Sequence, residues 1–110
     1  MLLNTNIKKF NVAVPEDYPE ITKRVKGICK TTINYLFNGY SLIPDRVGAS
    51  IEGGIAVVYK KRKELFIEIY NDGSVVIMVH YNCKQLRKIG EYEKITEKIL
   101  DNYVKLFEEN

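Results

Sequence analysis

The residues of this chain that could do chemistry are one histidine, two cysteines and a few carboxylates. His80 and Cys83 lie three positions apart, a spacing that could pair a base with a nucleophilic thiolate or supply two metal ligands. No further ligands follow at a metal-binding spacing, and His-x-x-Cys alone is common by chance. Cys29 lies on the apolar stripe of a predicted helix, where a cysteine usually only packs. The sequence therefore predicts no catalytic residue, no metal site and no cofactor.

Glu68 is the most unusual carboxylate, because Phe66 and Tyr70 flank it on the same face of a predicted strand. A carboxylate on an apolar face usually has a Lys or Arg partner, or it marks a site. The alternation also places His80 on this face, so we expect His80 either to pair with Glu68 or to lie at the edge of the face. A small ligand sensor or enzyme around Glu68 and His80 is one alternative function.

Three strands joined by two tight turns must position these residues, between Gly53 and Tyr81. Asn71-Asp72-Gly73-Ser74 has the residues that tight turns favour. The glycine pair Gly53-Gly54 permits either a close approach of backbone or a bulge. The context argues against a phosphate-binding loop there, because no Lys-Ser/Thr follows and the next element is a strand.

Side-chain alternation divides the three strands into two faces. One face is apolar and is predicted to receive the helices; it comprises Ile55, Val57, Tyr59, Leu65, Ile67, Ile69, Val75, Ile77, Val79 and Tyr81. The other face would be polar in an ordinary small antiparallel sheet, but here it carries Val58, Phe66, Glu68, Tyr70, Val76, Met78 and His80. Either the helices divide between both faces, or this second face needs a partner. A second copy of the chain would give an isologous dimer.

Two helices flank the strands. The first is predicted over 17–38, with Asp17 as its N-cap and Gly39 as its C-cap. The second is predicted over 91–108, where apolar residues recur at steps of three and four. The fold class is therefore α+β: a helix, a three-stranded antiparallel meander and a helix, in a single domain over 1–110.

The connecting stretches are less regular. Residues 1–15 alternate weakly and end at a proline, which suits an extra N-terminal edge strand or an extended arm. Residues 40–52 are predicted to form a loop because they contain Pro44, Asp45 and Gly48. Residues 82–90 fit either a continuation of the third strand or a connecting loop.

Two groups of cations could bind phosphates. The first follows one helix face at i, i+3 and i+7, and the second forms the tip of the first hairpin: Lys23, Lys26 and Lys30, with Lys60, Lys61, Arg62 and Lys63. The helix-face lysines could instead be an ordinary solvated face, and the cations of the hairpin tip could keep the hairpin soluble and prevent pairing at strand edges. A nucleic-acid-binding module that uses these seven residues is the second alternative function.

Composition narrows the class of protein. The chain has 110 residues, 45% of them hydrophobic, which suits one globular domain. No apolar run approaches the ~20 residues that span a bilayer, and the N-terminus does not resemble a signal peptide. We therefore expect a cytoplasmic protein with reduced thiols and no membrane contact. The net charge of +3 divides unevenly, since residues 1–89 are basic and residues 90–110 are acidic.

The segments Ile43-Pro44, 51–59, 65–70 and 71–73 resemble small bacterial proteins with a helix, a Pro-containing loop, a Gly-Gly-Ile strand, a Glu-Ile strand and an Asp-Gly turn. Many of those proteins are uncharacterised, and some look like companions in toxin–antitoxin or phage-defence loci. The resemblance implies this fold and brings no catalytic residues with it. The tip of the first hairpin and the last helix lie outside it.

These patterns predict a non-enzymatic protein-interaction module. It would be an antitoxin-like or inhibitor-like subunit that masks a protein partner, or a second copy of itself, with the second face of its sheet. The seven residues of that face are the predicted interface, and no cofactor is expected.

Overall fold

The computed structural model describes residues 12–81 and 87–109. Its elements are α1 (Lys23–Tyr40), β1 (Arg46–Ser50), β2 (Gly54–Lys60), β3 (Lys63–Tyr70), β4 (Val75–Tyr81), β5 (Arg87–Tyr92) and α2 (Glu97–Glu108). The strands pair in sequence order as one antiparallel meander. The predicted α+β class is confirmed. No helix of the described ranges is long and apolar enough to cross a membrane.

Both helices pack on one face of the sheet. The core joins apolar residues of α1 and α2 to the apolar face predicted from the sequence, whose residues are at most 5% exposed apart from the half-buried Tyr81 at the end of β4. Along β3 every second side chain is buried and the others are half-buried. This is the pattern of a sheet with one face in the core.

The sheet has two strands more than predicted. β1 lies in the stretch predicted to be a loop, and β5 comprises 87–90 of the stretch that was left open between strand and loop, together with the first two residues of the predicted second helix. Both are edge strands. Each therefore has one neighbouring strand and more contact with solvent. Edge strands can for this reason contain Gly and charged residues, which interrupt the alternation of apolar and polar positions.

The N-terminal strand expected in 1–15 falls largely outside the described residues, and 12–15 has no regular secondary structure. Likewise, 82–86 lies outside them, so the connection from β4 to β5 is not described.

α1 begins later than predicted, and Asp17 is not its N-cap. Thr22 is the N-cap, because its Oγ1 accepts a hydrogen bond of 3.2 Å from the backbone N–H of Val25. The side chain of Asn71 ties this point to the β3–β4 turn by accepting from the N–H of Thr22 (3.1 Å) and donating to the carbonyl of Glu20 (2.8 Å). A contact between distant residues thus selects the start of the helix.

The other helix ends also differ from prediction. α1 continues through Gly39 to Tyr40, and Ser41 is its C-cap, with a φ of 57° and an N–H that donates to the carbonyl of Phe37 (2.9 Å). α2 begins at Glu97 rather than 91, because residues 91 and 92 complete β5. Thr96 is its N-cap, with Oγ1 accepting from the N–H of Ile99 at 3.2 Å.

The sheet has two distinct ends. The turn end carries the β3–β4 turn, and the tip end carries the β2–β3 turn, called the tip here (Lys60–Lys63). α1 starts at the turn end, where Thr22 contacts Asn71. α2 also starts there, since β5 ends opposite Val75, and α2 finishes at the tip end, where Lys63 contacts Leu106. Both helices therefore run from the turn end towards the tip end.

Candidate functional site on the open face of the sheet

The face of the sheet opposite the helices is called the open face here. The strand register aligns a central row of apolar residues across it, formed by Val58, Phe66, Met78 and Ile89. Neither described helix contributes to this side, because the buried residues of both belong to the core on the other face. The structure thus resolves the alternative left by the sequence: the helices do not divide between the two faces.

Exposure varies along the central row. Val58 is 1% exposed and lies below the surface, Phe66 and Met78 are half-buried, and Ile89 on the edge strand is 49% exposed. The other residues assigned to this face from the sequence, Glu68, Tyr70, Val76 and His80, are all half-buried. Ile89 was not assigned to this face, because β5 was not recognised as a strand.

Glu68 lies in a compact hydrogen-bonded cluster towards the turn end. The hydroxyl of Ser50 donates to its Oε2, and the hydroxyl of Tyr70 donates to Oε1 at 2.9 Å. Ser50 Oγ in turn accepts from the backbone N–H of Glu52 at 3.2 Å. The Lys or Arg partner considered from the sequence is not among these contacts. Neutral donors hold this carboxylate instead.

This cluster is better suited to structure than to catalysis. Ser50 is only 4% exposed, so its hydroxyl is poorly placed to attack a substrate. Burial and the hydrogen bond to Glu68 raise the pKa of Tyr70, which keeps its hydroxyl protonated as a donor. Both oxygens of Glu68 already accept hydrogen bonds. The cluster fixes the open face where β1, β2 and β3 meet.

His80 does not pair with Glu68. Its Nε2 lies 3.1 Å from Oε2 of Glu64, the residue directly opposite it on β3. Glu68 lies four residues further along the same strand, at roughly 3.3 Å per residue, which is beyond the reach of His80. Lys60 also contacts Glu64, at 3.8 Å. The two residues of the proposed ligand or enzyme site are therefore held apart.

The thiols offer no reactive centre among the described residues. Cys29 is buried in the core, and burial raises its pKa to about 12, so the thiol remains protonated. Cys83 lies outside the described residues, and the pair with His80 is therefore not described. No group of three or more metal-ligating side chains forms within the ranges 12–81 and 87–109.

Comparison with known proteins adds nothing to this geometry. No protein-family model, curated protein or solved structure matches the chain. The resemblance to small bacterial proteins therefore stays a prediction. Function has to be inferred from the described residues themselves.

The tip makes contacts within the molecule. Lys63 is 7% exposed, and its Nζ donates to the carbonyl of Leu106 in the last turn of α2. Lys61 pairs with Glu108 at 3.4 Å, and its Nζ lies 5.9 Å from the centre of the Phe107 ring. Three of the four tip cations, counting Lys60, therefore have anionic or carbonyl partners in the fold, which lowers the charge that the tip can offer to phosphates.

The two basic groups named in the nucleic-acid hypothesis do not form one surface. Lys23 and Lys26 are exposed and Lys30 is half-buried, in agreement with a largely solvated helix face. Lys23 is the first residue of α1 at the turn end, whereas the tip lies at the other end of the sheet. The eight residues of β3 separate the two ends, by roughly 23 Å at 3.3 Å per residue.

The charges at the two ends of the sheet are mixed. The turn end carries Glu52, Asp72, Glu91 and Glu93 in its loops and strand ends, together with Lys23 at the start of α1. The tip end carries the cations of the tip and also Glu108 of α2. Because α1 has no acid in its first turn and no base in its last, the helix dipoles do not explain the uneven charge of the sequence.

The two helices are joined by a contact that the sequence did not indicate. The hydroxyls of Tyr35 and Tyr40 both donate to Oδ1 of Asp101 on α2, at 2.6 and 2.5 Å. Towards the turn end the helices separate, leaving an open groove of ≈ 770 Å³ with Ile28 and Leu100 in its lining. No local signal could have revealed this contact, since its partners lie more than 60 positions apart in the chain.

We expect the contact between Asp101 and the two tyrosines to stabilise the fold most between about pH 4 and pH 10. Their hydrogen bonds hold the pKa of Asp101 below its ordinary value, so its contribution is lost as pH falls below the ordinary pKa. The same bonds raise the pKa of both tyrosines to about 12, so their contribution is lost as pH rises from 10 towards 12.

Asp101→Asn tests this expectation, because it removes the charge and keeps the size of the side chain. Urea unfolding followed by circular dichroism should give a difference in unfolding free energy from wild type that is largest near neutral pH and shrinks on both sides. Parallel pH curves for the two proteins would contradict it.

Proposed function

We propose that this protein is a protein-interaction module that acts without chemistry, by placing the open face of its sheet against the surface of a protein. The observation that carries the proposal is the row of Phe66, Met78 and Ile89 across the middle of a sheet face on which neither described helix packs. An apolar strip of this kind, bordered by polar residues, is typical of interaction surfaces.

The polar residues that border the open face favour specific binding over non-specific hydrophobic association. Glu68 and Tyr70 lie on one side of the central row, and Glu64 and His80 lie on the other. Their hydrogen bonds within the protein fix these polar side chains before any partner arrives. Pre-organisation of this kind reduces the entropy that association costs.

The simplest activity for such a module is to mask a surface of its partner, as an inhibitor or antitoxin-like subunit does. The hydrogen-bonded Glu68 cluster and the separation of Glu68 from His80 argue for this activity over a small enzyme. The internal contacts of Lys61 and Lys63 argue for it over nucleic-acid binding.

Site-specific photo-crosslinking in the source cells tests this proposal. A photoreactive phenylalanine analogue replaces Phe66 on the open face, and in a control protein it replaces Lys26, which is exposed on α1. We expect a protein adduct of defined mass from position 66 and none of that mass from position 26. A second substitution, Met78→Glu, should remove most of the adduct by placing a carboxylate in the apolar row.

Unfolding curves of each variant would show that it is folded. The proposal fails if position 66 gives no protein adduct, or if the adducts from positions 66 and 26 are the same.

A further inference from the structure

We propose that α1 binds the phosphate backbone of a nucleic acid with the side that it turns away from the sheet, and that this backbone approaches the helix most closely at Gly27. The surface is separate from the open face, because both helices pack on the opposite face of the sheet. The inference therefore goes beyond the proposed function, and it makes no use of the tip, where Lys61 and Lys63 have partners within the fold.

The exposed residues of α1 are either cationic or small and uncharged. They are Lys23, Arg24, Lys26, Gly27, Thr31, Asn38 and Gly39. The sequence has no acidic residue between Glu20 and Asp45, so nothing within the helix offsets its positive charge. The exposed residues of α2, by contrast, include two acids and two lysines. Of the two helices, only α1 presents a surface with a single sign of charge.

The fold does not explain the placement of these cations. Lys23 and Lys26 are neighbours on the helix surface at i, i+3, and Lys26 and Lys30 at i, i+4, where like charges repel each other. Lys23 also lies in the first turn, at the positive end of the helix dipole, where a cation is unfavourable. None of the three lysines forms an ion pair with another residue of the described ranges. A bound anion would offset both unfavourable terms.

Gly27 is a second feature that the fold does not require. It lies inside α1, where glycine is less favourable than alanine. A Cβ at this position would meet nothing within 4 Å, so no neighbouring group excludes a side chain. Lys23, Thr31 and Asn38 line the same groove as Gly27 and therefore lie on the same side of the helix. A glycine between such residues allows another backbone to approach the helix closely.

The composition of this surface favours a nucleic acid over an acidic protein. Protein interfaces are rich in aromatic residues and poor in lysine, whereas the exposed residues of α1 include no apolar side chain. Phosphates are bound by Lys, Thr and Asn side chains. Lys23 and Lys30 are roughly 10 Å apart along the helix axis, the rise of about three phosphates on one DNA strand. Arg24 is not counted, because its guanidinium lies over Gly73 in the β3–β4 turn.

Fluorescence anisotropy of a fluorescein-labelled DNA duplex of about 20 base pairs and mixed sequence tests the surface. Three phosphate contacts predict a slope of about −2.7 for the logarithm of the binding constant against the logarithm of the salt concentration. The affinity of the wild-type protein should therefore weaken roughly fortyfold between 50 and 200 mM salt. A wild-type protein that does not bind the duplex at 50 mM salt overturns the inference.

Replacing Lys23, Lys26 and Lys30 together by glutamine should raise the dissociation constant at least about tenfold at 50 mM salt and bring the slope close to zero. The matched control has the same change of charge at exposed positions in and beside α2, which are Lys94, Lys98 and Lys105. It should bind the duplex as the wild type does, and circular dichroism would show that both variants are folded. Equal losses of affinity in the two variants would mean that binding follows net charge alone, which overturns the inference.

Gly27→Leu tests the close approach without changing any charge. Leucine is a better helix former than glycine, so the variant should be at least as stable as the wild type. Its duplex binding should weaken at least about fivefold, because the side chain would hold the phosphates away from the lysines. Binding equal to that of the wild type overturns the approach at Gly27.

A competition experiment separates a nucleic acid from an acidic protein. Polyglutamate is added to the complex of the wild-type protein with the duplex, at the same concentration of charges as the duplex supplies. We expect most of the duplex to stay bound. Full displacement by polyglutamate would assign the surface to an acidic protein and overturn the nucleic acid as its occupant.

Discussion

Replacing Gly54 by alanine is expected to lower the free energy of unfolding by roughly 3 kcal/mol, a large part of the stability of a domain this size. Gly54 begins β2 with a φ of +144°, a conformation that side chains rarely adopt. A Cβ there would lie 2.0 Å from the carbonyl oxygen of Ile69 and 2.8 Å from the Cα of Tyr70. Both are backbone atoms of the central strand, so the clash cannot be relieved by a side-chain rotation.

Gly48→Ala is the matched control for this prediction. Gly48 also lies in a strand of the same sheet, but a Cβ there would meet nothing within 4 Å. Because alanine restricts the unfolded chain more than glycine does, this variant should be as stable as wild type or slightly more stable. Urea unfolding of the two variants and wild type measures the difference. Equal midpoints for both variants would show that the approach of β2 to β3 tolerates a side chain.

The close approach at Gly54 also shows what the sequence could reveal about the sheet. The glycine pair indicated either a bulge or a close approach, and the structure shows the second. The interior strands β3 and β4 were predicted correctly because one face lies in the core, which enforces alternation. β1 and β5 were not, because edge strands tolerate residues such as Gly48 and Lys88 that interrupt the apolar pattern.

Contacts between distant segments account for the other errors. Asp17 and Thr22 are both acceptable N-cap residues, and the bond from the N–H of Thr22 to Asn71 favours the second. His80 pairs with Glu64 through a register set by the β3–β4 turn. Composition identifies which residues can form such bonds, but only the register and the packing of helices on the sheet decide which ones do.

The candidate site, like the fold, was predicted only in part. Phe66, Met78 and His80 were assigned to the second sheet face, and the register places them there. The expected pairing of His80 with Glu68 was wrong, because the alternation of a strand gives the face of a residue and not its distance from others. The same reasoning grouped four tip cations as one basic patch, although their surroundings differ greatly.

Among the tip cations, Lys63 is expected to contribute most to the stability of the fold. We expect Lys63→Met to lower the free energy of unfolding by about 2 kcal/mol, the usual range for a hydrogen bond from a charged donor. Its Nζ donates to the carbonyl of Leu106, in the last helical turn, where carbonyls lack partners within the helix. The ammonium also lies 5.0 Å from the centre of the Tyr81 ring, and methionine would lose this cation–π contact.

Arg62→Met is the matched control, since it removes a cation from the same turn at an exposed position. It should change stability by less than about 0.5 kcal/mol. Chemical denaturation of both variants separates the two explanations of the tip. If Lys63 holds the first hairpin against the end of α2, only the Lys63 variant should be destabilised. Amide exchange in 103–108 should then become faster in that variant alone. Equal stability of the two variants would indicate that Lys63 contributes no more to the fold than Arg62 does, and its charge would again be available to the nucleic-acid hypothesis.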